Sequence, residues 1–129
     1  MESILVKDIY PVKTAVIAKS ETSLQDAQAV IDFLKNNIDA HPVATYIGEF
    51  DHYAHTKSLP EHSIDESFKA VKIVIFCFGK ELPAAAMAAV RPRSIAVVER
   101  EDDFVVSFMD APNPAAQEAM LSWVEKIKK

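Results

Sequence analysis

The segment GEFDHYAHTKS, Gly48–Ser58, holds a carboxylate, two histidines, a tyrosine and a lysine within a few positions. Such residues can bind a metal or exchange protons, provided that enough of them converge. In a helix, His52 and His55 lie three apart on one side, and Asp51 and His55 lie four apart, within hydrogen-bonding reach. In a strand, Asp51, Tyr53 and His55 share one face and His52 takes the other. A metal site built on His52 and His55 therefore requires the helix and a third ligand, for which Glu49 and His62 are the nearest choices. The plainer reading makes Asp51 a helix cap and leaves both histidines at the surface.

Two further positions carry chemistry. Cys77 ends an apolar run, AVKIVIFCF. A thiol at the C-terminal end of a strand, beside Lys80 and an entering helix, suits a nucleophile or redox group. The alternative is a small apolar side chain packed among Ile75, Phe76 and Phe78. The turn Gly79–Lys80–Glu81 leads into an alanine-rich helix, whose N-terminus would suit a small anionic ligand. Taken together, Asp51, His52, His55, Cys77 and Lys80 are the expected ligand-binding residues.

These groups must be positioned by secondary structure. Strands are expected in KTAVIAKS, PVATYIGEF, AVKIVIFCF, RSIAVVERE and DFVVSFMD. The second of these would place Val43, Thr45 and Ile47 on one face and Ala44, Tyr46 and Phe50 on the other. Helices are expected in SETSLQDAQAVIDFLKNNID, ELPAAAMAAV and NPAAQEAMLSWVEKIKK, with a short one at Ser63–Glu66. Thr22 with Gln25, or Ser23 with Asp26, would form a capping box for the first helix. Leu24, Ala27, Ile31, Leu34 and Ile38 form its buried stripe. Asn113 and Pro114 open the last helix. Glu99, Glu101, Asp102 and Asp103 read as a solvated hairpin. The order is β-α-β-(α)-β-α-β-β-α, an α+β two-layer sandwich with a mixed or mainly antiparallel sheet.

Composition narrows the function. The chain of 129 residues, with half of them hydrophobic, suits one domain. A net charge of −5 argues against general nucleic-acid binding; Arg91, Arg93 and Arg100 are the only arginine group. Only two glycines occur, so no phosphate-binding loop motif is present and no cofactor is predicted. One cysteine forms no intrachain disulfide. The N-terminus lacks a signal-peptide pattern, and no apolar run is long enough to span a membrane, so a cytoplasmic location is expected. Val71, Ile73, Ile75 and Cys77 alternate with Val74, Phe76 and Phe78, which makes both faces of that strand apolar. A short chain has few helices to cover two faces, so a homodimer is expected.

The segments FDHYAHTKS, VKIVIFCFGKEL and RPRSIAVVEREDDFVVSFMDAP resemble the small bacterial domain-of-unknown-function family 302. The matching positions are Phe50–His52 and Ala54, Phe78–Gly79, Val98–Glu99 and Phe104–Asp110, within residues 14–112. Lys80 and Glu81 depart from the Asn-Pro that the family favours, and Leu59–Ser67 reads as an insertion. The resemblance implies a compact α+β fold, often homodimeric, and no established catalytic activity. The expected function is a non-enzymatic homodimeric domain that binds a small ligand or partner. The alternatives are a metal- or histidine-dependent enzyme using Asp51, His52 and His55, or a redox or sulfur-handling protein using Cys77.

Overall fold

The computed structural model describes residues 1–129. Six strands form one antiparallel sheet: β1 (Glu2–Val6), β2 (Tyr10–Ala18), β3 (Thr45–Asp51), β4 (Ala70–Cys77), β5 (Arg93–Glu99) and β6 (Asp103–Met109). Their order across the sheet is β1-β2-β6-β5-β4-β3. Three α-helices complete the chain: α1 (Ala27–Ala40), α2 (His52–Ser58) and α3 (Pro114–Glu125). The α+β expectation holds, and the sheet is wholly antiparallel.

Helices α1 and α3 pack on one face of the sheet. Val30, Ile31, Leu34 and Ile38 of α1 meet Val74 and Phe76 of β4, Ile95 and Val97 of β5, and Phe104 and Val106 of β6. Met120, Trp123 and Val124 of α3 close this core. The Phe78 and Trp123 rings stack with centroids 5.7 Å apart. Burying side chains of this size contributes about 1.5–3 kcal/mol each, which makes this one-sided core the main source of stability.

The start of α1 differs from the capping boxes expected. Asp26 is the cap, and its carboxylate accepts the Ala29 amide at 2.8 Å. A second carboxylate arrives from the sheet. Glu99, at the end of β5, accepts the Ala27 amide through Oε1 at 2.8 Å and the Lys19 ammonium through Oε2 at 2.8 Å. It is only 7 % exposed. The hairpin expected to be solvated thus has a buried member, because strand alternation carries Glu99 inward with Ile95 and Val97. Asp103 is also paired, accepting two hydrogen bonds from the Arg100 guanidinium at 2.6 and 2.8 Å.

Four local corrections follow from backbone chemistry. The N-terminal segment forms β1, joined to β2 through Lys7 and Asp8 at positive φ (53° and 60°); the usual glycine signal for such a turn is absent. In β3, a bulge between Tyr46 and Gly48 reverses the alternation, so Phe50 shares a face with Thr45 rather than with Tyr46. The alanine-rich segment forms a 3-10 turn at Ala85–Val90 instead of an α-helix. It lies between Pro83 and Pro92 and buries no residue, so nothing offsets the entropy of helix nucleation. Ser63–Glu66 forms no helix either.

Glu99→Ala would leave Lys19 and the α1 amide without their acceptor. We expect a loss of about 3 kcal/mol, measured as a lower urea midpoint with an unchanged slope.

Candidate functional site

The 48–58 segment is a strand-to-helix junction. Strand β3 ends at Asp51, whose carboxylate accepts the Ala54 amide at 2.9 Å and caps α2. That cap fixes the helical alternative and brings His52 and His55 to the same side. Their ring centroids are 6.4 Å apart, and both rings lie against Phe50, at 5.3 and 5.5 Å. Both histidines are exposed. No third His, Cys, Asp or Glu joins them in an arrangement able to hold a metal. Glu49 points elsewhere: it accepts from Gln28 Nε2 at 3.0 Å and from the Tyr46 hydroxyl at 3.1 Å. His62 contacts the Leu59 carbonyl at 2.8 Å.

The Leu59–Ser67 segment folds back beside α2. A shallow cavity of about 270 Å³ lies between them, lined by His52, Tyr53, Thr56, Ile64 and Phe68 and reaching Val71 of β4. Asp65 stabilises this segment locally, accepting the Ser67 amide at 2.9 Å and the Ser67 hydroxyl at 2.7 Å. Those bonds hold its carboxyl below the usual carboxylate range.

Cys77 and Lys80 lie at the other end of the same strand pair. Thr45 pairs with Cys77, whereas Asp51 pairs with Lys72. The intervening strand length, on the order of 20 Å, separates Cys77 from the histidines. The five residues expected at one site therefore belong to two places. The Gly79 amide donates to the Cys77 sulfur at 3.2 Å. A Cβ at Gly79 would lie 2.9 Å from that sulfur and 3.5 Å from Nη1 of Arg91, so the turn is closely packed. The α-helix expected to begin here is replaced by the 3-10 turn, so Lys80 stands beside no α-helix N-terminus.

Two residues at this end had little prominence in the sequence. Arg93 occupies the inward position of β5, in series with Ile95, Val97 and Glu99. An arginine in an inward apolar series was the available signal. Burial pushes its pKa down, partly offset by the charge of Asp110. Asp110 itself accepts from Lys13 at 2.9 Å and from Gln117 at 2.5 Å, joining β2 to α3. The Lys13 ammonium is the chief cause that holds its carboxyl below the ordinary value of 3.8.

The architecture defined here is a single antiparallel sheet with helices on one face, an α+β sandwich whose polar groups gather at its two ends. The chain belongs to the family described as Family of unknown function (DUF6858), whose model matches residues 1–129. That match does not confirm the resemblance to family 302. No curated protein and no solved structure matches the chain.

Asp51→Ala removes the α2 cap, and we expect it to lower unfolding free energy by about 1 kcal/mol in denaturant titrations. Asp110 supplies an acid-sensitive link. Its depressed pKa means that its stabilising contribution is present above the unfolded carboxylate pKa and is lost as pH falls through the folded value. Asp110→Asn should therefore show a shallower loss of thermal stability than the wild type between about pH 5 and pH 2.

Proposed function

We propose that this protein is a non-enzymatic, homodimeric domain that binds a small ligand. The observation that carries the reading is the face of the sheet opposite α1 and α3. Strands β2 to β6 present Val12 and Val16, Ile73 and Ile75, Val98 and Val105 there, with hydroxyls at Thr14 and Ser107. Two charged side chains reach that face, both at its margin: Asp103 at the end of β6, which pairs with Arg100, and Glu2 of the edge strand β1, opposite Thr14. Val16, Met109 and Ile4 are 57 %, 47 % and 42 % exposed.

An uncharged apolar centre is the composition of a protein interface core. Six strands at about 4.8 Å spacing give a face on the order of 700 Å². That is close to the ~800 Å² per partner of a standard interface. A second copy suits this face because sheets pair face to face about 10 Å apart, and both faces would carry the same apolar character. The exposed histidines lack the buried, converging partners that acid–base or metal chemistry needs, which supports a binding role over catalysis. The acidic balance supports a small-molecule ligand over nucleic acid. No helix is long and apolar enough to cross a membrane. With the single unpaired cysteine, a cytoplasmic setting fits this reading.

Light scattering at high concentration should give about twice the chain mass of 14.3 kDa. Val16→Lys, at a position exposed in the single chain, should yield a folded monomer. A wild type that remains monomeric at every accessible concentration refutes self-association.

A further inference from the structure

A cavity of about 280 Å³ opens on the helix side of the sheet, where Phe78, the 3-10 turn and the start of α3 meet. Phe78, Met87, Val90 and Ala116 form its apolar wall, and Arg91 and Arg93 supply the charge. Neither guanidinium lies within ion-pair distance of a carboxylate; each of the chain's six ion pairs involves other residues. Arg91 donates through Nη1 to the Glu81 carbonyl at 2.6 Å. Arg93 donates through Nη2 to the Met109 carbonyl. Its Nε is the one buried side-chain polar atom in the molecule with no hydrogen-bond partner.

Arginine carries five donors, so both side chains are left far from saturated. Asp110, whose charge acts on Arg93, accepts from Lys13 and Gln117 and accepts no hydrogen bond from Arg93. The first amides of α3 are already taken: Asn113 Oδ1 accepts from Ala115 at 2.9 Å and from Ala116 at 3.2 Å. The positive character of the cavity therefore comes from the two guanidinium groups. Two unpaired arginines beside one cavity stand out in a chain of net charge −5.

We infer that this cavity binds a small organic carboxylate with a compact apolar body. The carboxylate would lie between Arg91 and Arg93, whose planar donor arrays match its two oxygens. The apolar body would lie against Phe78, Met87 and Val90. A void of about 150 Å³ holds benzene, so this cavity accommodates one ring and a carboxylate. An inorganic anion meets the same charges and gains nothing from the apolar wall. This inference rests on the binding-domain reading, names its ligand class, and is independent of self-association, because the cavity and the open sheet face are on opposite sides.

Sodium phenylacetate is the probe, titrated by amide and methyl NMR at constant ionic strength, with sodium acetate and inorganic phosphate in parallel. The expected result is a saturable shift of Met87, Ala111 and Ala116 signals at millimolar or lower phenylacetate, with both inorganic phosphate and acetate weaker. Arg91→Gln and Arg93→Gln should each weaken binding about tenfold. Met87→Asp, which leaves both arginines in place, should weaken it similarly. The Val16→Lys monomer should bind as the wild type does, so loss of the dimer and loss of the cavity site are read separately. Three outcomes overturn the inference: no saturable shift, unchanged affinity in Arg91→Gln and Met87→Asp, or phosphate binding as tightly as phenylacetate. Arg91 and Met87 lie outside the buried core, so these variants decide the matter even where Arg93→Gln does not fold.

Discussion

The Glu99 carboxylate is the interaction on which the arrangement of layers depends. One side chain from β5 receives the first amide of α1 and the ammonium of Lys19, which follows β2. It thereby fixes the point where the chain leaves the sheet and the point where the helix starts. A buried carboxylate without partners would be costly; here its oxygens have donors from two other parts of the chain. The Lys19 ammonium also lies 5.6 Å from the Phe104 ring, within reach of a favourable cation–ring contact. With its start so fixed, α1 crosses β4 and β5 in the direction that returns the chain to the far edge at β3.

That crossing has a geometric consequence for the other side of the sheet. The chain has two helices long enough to cover strands, and both lie on one face. The short α2 and the segment after it reach only the corner near Val71. Strand β4 therefore has Val74 and Phe76 under α1 while Ile73 and Ile75 remain partly exposed. A sheet so unequal in cover has a second face that is largely apolar yet open, interrupted by the hydroxyls of Thr14 and Ser107. The two ends of the strands divide the polar chemistry: histidines over Phe50 at one end, and arginines and the thiol at the other.

Much of this was legible in the amino-acid sequence because period and capping leave local signals. The apolar alternation of β4, the stripe of α1, the Asp51 cap and the Asn113–Pro114 start of α3 each follow from a few adjacent residues. The misses have physical reasons. The hairpin from β1 to β2 uses Lys7 and Asp8 where glycine or asparagine would have announced it. One extra residue at the β3 bulge reverses the face of Phe50, and periodicity has no marker for such an insertion. Ala-rich composition favours an α-helix, but the Ala85–Val90 segment lacks a packing partner and lies between prolines. The grouping of Asp51, His52, His55, Cys77 and Lys80 failed because convergence is a property of strand pairing: Thr45 opposite Cys77 and Asp51 opposite Lys72 put them at opposite ends. Glu99 and Arg93 were hidden for a related reason, since only strand register turns a charged residue inward.

The strand order also sets a schedule for assembly. Strands β3, β4, β5 and β6 are each paired with their sequence neighbour, whereas β2 joins β6 through contacts such as Val12 with Met109 and Ala18 with Asp103. Contacts this distant in sequence form late, because the intervening loop must close first. As synthesis proceeds from the N-terminus, β2 emerges early and has only β1 beside it until β6 has also emerged. Its open edge, with Val12, Val16 and Ile17, is then available to other chains. Pro11, which has no amide hydrogen, shortens the part of that edge able to pair during this interval. The topology that gives the finished protein its one-sided core thus leaves it to β6 to protect the edge of β2.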